Sequence, residues 1–137
     1  MHTQQMVVAH PDRQGAVNGA LLACIDTCLD CAQACVSCAD ACLAEKAVAG
    51  LTQCIRLNLD CADICKAMAN LATRRTGHNE AIVKRLLDAC VEACRACGEE
   101  CRKHSGQHDH CAICAEACAL CEQACRKASD SLAEAVH

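Results

Sequence analysis

From about residue 18 to residue 130 the apolar positions follow a helical rhythm, with polar residues filling the intervals. Cys24, Cys28, Cys31, Cys35, Cys38 and Cys42 step by 4, 3, 4, 3 and 4 residues. Cys90, Cys94, Cys97 and Cys101 step by 4, 3 and 4, and Cys111, Cys114, Cys118, Cys121 and Cys125 by 3, 4, 3 and 4. Alternating threes and fours keep every member on one stripe of an α-helix. Cys54, Cys61 and Cys65 fit the same comb if Asn58 and Met68 fill its missing teeth. The Ala, Leu and Glu between them, with no internal Pro, suit helix. A second apolar row runs one residue along: Ile25, Leu29, Ala32, Val36, Ala39 and Leu43, then Ile113, Ala117, Leu120 and Ala124. It is expected to pack helix on helix while the first stripe faces the axis.

Punctuation sets the ends. Asn18 is expected to cap a helix over 18–46, with Gly50 closing the turn after it. A second helix covers 51–74 and stops before Thr76-Gly77. The third, opened by Asn79 or His78, covers 79–104, and the fourth, capped by Asp109, covers 109–133. Residues 1–17 read as an N-terminal arm, the first fourteen of them loose. Three short connections between long helices predict antiparallel neighbours. The fold expected for 18–137 is therefore all-α: an up-down-up-down antiparallel four-helix bundle with Cys lining the core. In that topology the first and last turns share one end, and the thiols lie toward it. At the other end the stripes become aliphatic through Val17, Leu21, Val83, Leu87 and Leu132, with Met68 and Leu71 on the second helix.

Composition sharpens this picture. Of 137 residues 18 are Cys, none is aromatic and one is Pro; a Cys share above about 8–10% is already diagnostic. Sulfur must fill volume that aromatics usually fill. A net charge of −4 with interspersed signs argues against nucleic-acid or anionic-membrane partners. The N-terminal stretch has no basic region, apolar run or twin Arg, and charges interrupt every apolar run. A cytoplasmic protein with no membrane partner is expected, in a compartment where disulfide frameworks are rare.

Filler thiols would leave a ragged comb, so the regular one points to metal. Thiolates select Cu(I), Zn(II) or iron–sulfur clusters. All C-x₂-C pairs here lie within helices, not on the turn knuckles typical of zinc or the loops that wrap iron–sulfur clusters. Charge separates the metals further, because buried net charge is prohibitive unless paired. One Cu⁺ per thiolate, each sulfur bridging two ions, is neutral. Zn²⁺ with four unshared thiolates carries −2, and no Lys or Arg falls on the stripes. A capacity of roughly 18 Cu(I) follows, one per thiol, together with an apo-protein that is already helical.

Beyond Cys101 the comb continues to His104, and the turn adds His108 and His110. Three histidines at the sulfur end are expected to form a mouth that relays Cu(I) inward. His2, His10, His78 and His137 fall in the arm or at the plugged end and read as incidental. Met68, a soft thioether, and Asn58, a weak oxygen donor, are candidate peripheral ligands. Asp26, Asp30, Glu45 and Glu92 read as a solvated face.

Helices lined by C-x₃-C-x₂-C-x₃-C repeats resemble the bacterial copper storage proteins, and the absent export signal resembles their cytosolic branch. The resemblance covers about 18 to 130. It implies a homotetramer of four-helix bundles holding many Cu(I) ions, with the 18 Cys as ligands and the mouth matched by His104, His108 and His110. The function expected is non-catalytic Cu(I) storage, exchanging with copper chaperones or copper enzymes. Two readings compete with it: a metallothionein-like Zn(II) or Cd(II) sequestering protein, and a thiol redox protein. The last lacks a βαβ pattern and a single activated Cys.

Overall fold

The computed structural model describes residues 2–12 and 18–135. Val17 and His137 lie outside them. Among the described residues the chain is all-helical, with no strand. Four long helices carry it: α2 (Gly19–Leu43), α3 (Thr52–Ala72), α4 (Glu80–Lys103) and α5 (Asp109–Ala135). A short α1 (Thr3–Ala9) precedes them, and a 3₁₀ turn, Val48–Leu51, leads into α3. Helix α2 packs against α3 and α5, and α4 packs against the same two, closing a ring around one core.

α1 replaces the loose arm expected over the first residues. Its only buried side chain is Val7, and it rests on α2. Seven residues are too few to hold a helix by propensity, so this docking stabilises it. The start of α2 is as expected. Asn18 Oδ1 accepts from Leu21 N at 3.0 Å while its Nδ2 donates to Ser131 Oγ at 3.0 Å, tying the beginning of α2 to the end of α5. Such a cap contributes about 1 kcal/mol. The other two expected caps behave differently. Asn79 makes no capping bond and instead donates to Leu71 O at 3.2 Å, bracing the loop against α3. Asp109 lies inside the first turn of α5, where its charge complements the helix dipole. Gly77, at φ 75°, turns the chain between α3 and α4 in the left-handed region.

The second apolar row splits. Ile25, Ala32 and Ala39 are buried, whereas Leu29, Val36, Leu43, Ile113 and Leu120 are exposed. The two seven-residue series on α2 lie four residues apart, so they are rotated by about 40° on the helix. One reaches a neighbouring helix and the other faces outward. The expectation that no segment could span a membrane is also corrected: Gly19–Leu43 is long and apolar enough by composition. Its hydropathy comes largely from Cys and Ala, and half of the apolar window is buried within the bundle.

Gly98, in the middle of α4, explains itself by proximity. A Cβ there would sit 3.3 Å from Cys118 Cβ on α5. Its absence lets the two helices close up, offsetting the roughly 1 kcal/mol that Gly costs a helix interior. Leu21, Met68, Val83 and Leu87 are buried at the aliphatic end of the core, with Leu71 and Leu132 half-buried beside them. From there toward the other end the core is sulfur.

Candidate metal site

Each long helix turns its Cys stripe inward, and all 18 thiols are free and buried, none more than 2% exposed. Cys24 lies 3.3 Å from Cys125, and Cys28 lies 3.7 Å from Cys125 and Cys121 and 3.8 Å from Cys90. Next come Cys65 with Cys90 at 3.7 Å, Cys61 with Cys94 at 3.7 Å and Cys31 with Cys118 at 3.8 Å. Cys35 follows, 3.8 Å from Cys114 and Cys118 and 4.0 Å from Cys97. Cys54 with Cys101 at 3.6 Å and Cys38 with Cys111 at 4.0 Å bring the column to its far end. There Cys38, Cys42, Cys54 and Cys111 form a compact group.

These spacings suit metal insertion without rearrangement. With metal–sulfur bonds of about 2.3 Å, sulfurs around one ion stand roughly 3.8–4.0 Å apart. Several quartets have all their sulfurs within 4.8 Å of one another, and they share corners. Cys121 belongs both to the group with Cys28, Cys90 and Cys125 and to that with Cys31, Cys65 and Cys94. Cys35 and Cys118 join the next two. Shared corners mean bridging sulfurs, which keep the charge per metal low.

The thiols are chemically unequal. Hydrogen bonds from Cys125 and Cys28 lower the Cys24 thiol. Those from Cys101 and Cys38 likewise lower Cys54. Burial pushes Cys111 up to about 12 and also raises Cys42. Hydrogen bonds from neighbouring thiols also lower Cys31, Cys61, Cys90 and Cys114, so the thiols held more readily as thiolate, the metal-binding form, are spread along the column.

Asn58 occupies its missing tooth, wholly buried. Its Oδ1 accepts from Cys97 at 3.0 Å, Cys114 at 3.2 Å and Cys101 at 3.5 Å, and its Nδ2 donates to Cys54 Sγ at 3.7 Å. One amide thus satisfies itself on four thiols, which explains why a polar residue is tolerated at this depth. Met68 is equally buried, one step past Cys65 where sulfur gives way to hydrocarbon.

At the opposite end the α2–α3 and α4–α5 connections meet. His110 Nδ1 lies 3.4 Å from Cys38 Sγ and 3.6 Å from Cys111 Sγ. His108 stacks on His110 with ring centroids 5.4 Å apart. His104 stands 3.4 Å from Glu100 through its Nε2. Glu45 does not belong to a solvated face as expected: it is half-buried, with His108 Nδ1 at 3.1 Å and His110 Nε2 at 3.4 Å. A signal for it existed, since Glu45 is the next tooth of the comb after Cys42. Asp26, Asp30 and Glu92 are exposed. His10 and His78 meet surface partners, Thr76 at 3.4 Å and Glu80 at 3.2 Å, and His2 is exposed.

A sequence model of the copper storage protein family matches residues 17–130. The copper storage protein Ccsp of Streptomyces lividans, in a structure loaded with 10 copper equivalents, is 47% identical. That alignment covers 93% of this chain and 98% of Ccsp, with a TM-score of 0.90. Apo copper storage protein 3 of Bacillus subtilis is 39% identical over 78% of this chain and 96% of its own, with a TM-score of 0.66. The cysteine-rich protein YhjQ of Bacillus subtilis (strain 168) is 43% identical over 67% of this chain and 80% of its length.

Proposed function

The chain belongs to the copper storage protein family, and from that premise we propose that it stores Cu(I) along the axis of its bundle. The observation that carries this reading is the column of 18 buried free thiols, in which four successive quartets share corners and a fifth closes the His-bearing end. Each Cu⁺ replaces one thiol proton, so the interior stays neutral as it fills. The 18 Cys are the ligands, with Asn58 as a peripheral oxygen donor and Met68 as a peripheral thioether. Zn(II) is disfavoured because the column holds no cation to balance unshared thiolates.

The architecture proposed is an antiparallel up-down-up-down four-helix bundle over 18–137, preceded by an arm over 1–17 that carries α1. Opposed registers support it: Cys24, Cys31 and Cys38 meet Cys125, Cys118 and Cys111, while Cys54, Cys61 and Cys65 meet Cys101, Cys94 and Cys90. The protein is a non-catalytic cytoplasmic store, a homotetramer by family likeness, exchanging copper with chaperones or copper enzymes. The exposed Leu29, Val36 and Leu43 of α2 offer apolar surface for association of subunits.

Cu(I) is loaded through the His-bearing end. His110 supports this, since it is partly exposed and its Nδ1 faces two thiols of the column. Replacing His104 and His110 together by Ala is expected to slow anaerobic Cu(I) loading about tenfold or more while leaving capacity within one or two ions. Stopped-flow absorbance of the copper–thiolate bands reads both quantities, and an unchanged rate contradicts the entrance.

A further inference from the structure

Glu45 stands where no sequence expectation placed it, and its surroundings give it a task. Among the described residues its ion-pair partners are the two stacked histidines, one on each carboxylate oxygen: Oε2 to His108 Nδ1 at 3.1 Å, Oε1 to His110 Nε2 at 3.4 Å. No Lys or Arg is paired with it there. His110 Nε2 is itself buried and lacks an aligned hydrogen-bond partner. Its other nitrogen, Nδ1, faces Cys38 and Cys111.

A neutral imidazole has one lone pair and one N–H. For Nδ1 to offer its lone pair to a metal beside Cys38, the hydrogen must sit on Nε2, and a buried N–H needs an acceptor. Glu45 Oε1, 3.4 Å from Nε2, is the carboxylate oxygen paired with that nitrogen. Metal-ligating histidines commonly donate their second N–H to a carboxylate, which fixes both the tautomer and the ring direction.

We propose that Glu45 is the positioning residue of the mouth: its carboxylate, spanning His108 and His110, sets the His110 ring and tautomer so that Nδ1 delivers an arriving Cu(I) to Cys38 and Cys111. The inference rests on the proposed loading through this end. It adds the residue that makes His110 competent and leaves the storage capacity untouched, because the carboxylate acts on the two histidines and not as a ligand of the column.

The test compares Glu45→Ala, Glu45→Gln and His110→Ala in the full chain, with Cu(I) delivered as its acetonitrile complex under anaerobic conditions. Glu45→Ala is expected to slow loading about tenfold, at unchanged saturation, and to have no further effect on a His110→Ala background. Glu45→Gln, whose amide oxygen still accepts an N–H, is expected to retain most of the wild-type rate. Long-range ¹H–¹⁵N NMR of the apo-protein should show His110 as the Nε2–H tautomer in the wild type and a mixture in Glu45→Ala. Two outcomes overturn the inference alone: His110→Ala slows loading but Glu45→Ala does not, or Glu45→Ala slows it equally without His110. If His110→Ala itself leaves the rate unchanged, the entrance reading falls first. Circular dichroism checks that each variant remains helical.

Discussion

Replacing Cys31, Cys61, Cys94 and Cys118 together by Ala is expected to remove at least about four Cu(I) ions, and as many as about eight, from the saturated protein. These four sulfurs form the middle of the column, with Cys61 3.7 Å from Cys94, Cys31 3.8 Å from Cys118 and 4.0 Å from Cys61. Ions held wholly within the layer are lost. Ions shared with Cys35 or Cys121, which share quartets with these residues, lose one of their bridging ligands. The apo-protein should nevertheless fold, because trading a buried thiol for a methyl costs only about 1 kcal/mol per site. An anaerobic titration read beside far-UV circular dichroism separates these effects. Retention of full capacity would mean that copper is not held along the axis.

Copper loading is expected to raise the unfolding temperature beyond any accessible in water, above about 90 °C, while the apo-protein melts in the ordinary range of about 45–65 °C. A ligand that binds only the folded state stabilises it by about 2.7 kcal/mol when its free concentration is a hundred times its dissociation constant. Several such ions exceed the whole stability of a domain, about 5–15 kcal/mol. The apo-protein stands without metal because its thiols pack as small hydrophobes and the aliphatic end, Leu21, Val83 and Leu87 with Met68, is conventional core. Differential scanning calorimetry of apo and loaded protein tests this. An apo-protein without a cooperative transition would overturn the claim that the bundle precedes the metal, as would a loaded protein melting with the apo form.

Much of this was legible in the chain because one residue type marks the inner stripe. Cys at alternating steps of three and four fixed both the helical period and the inward face of α2, α4 and α5, and Asn58 and Met68 fell into the α3 stripe by elimination. Asn18 announced the start of α2 through ordinary capping chemistry. What was missed lacked such a marker. α1 has a single buried contact, Val7, and no periodicity, so only its docking on α2 makes it a helix. Leu29 and Ile25 are the same kind of residue one turn apart, and only the neighbouring helices decide which is covered. Glu45 did sit on the comb, three residues after Cys42, but its charge read as surface, and only the meeting of the two connections sets it between His108 and His110.

The most direct measurement is an anaerobic Cu(I) titration in weak buffer that records bound copper and released protons together. Exchange of thiol protons for Cu⁺ in a neutral core requires saturation near the thiol count of 18, with about one proton released per ion throughout. Saturation at four or five ions with three or four protons each would instead describe isolated tetrathiolate sites, and would contradict the account.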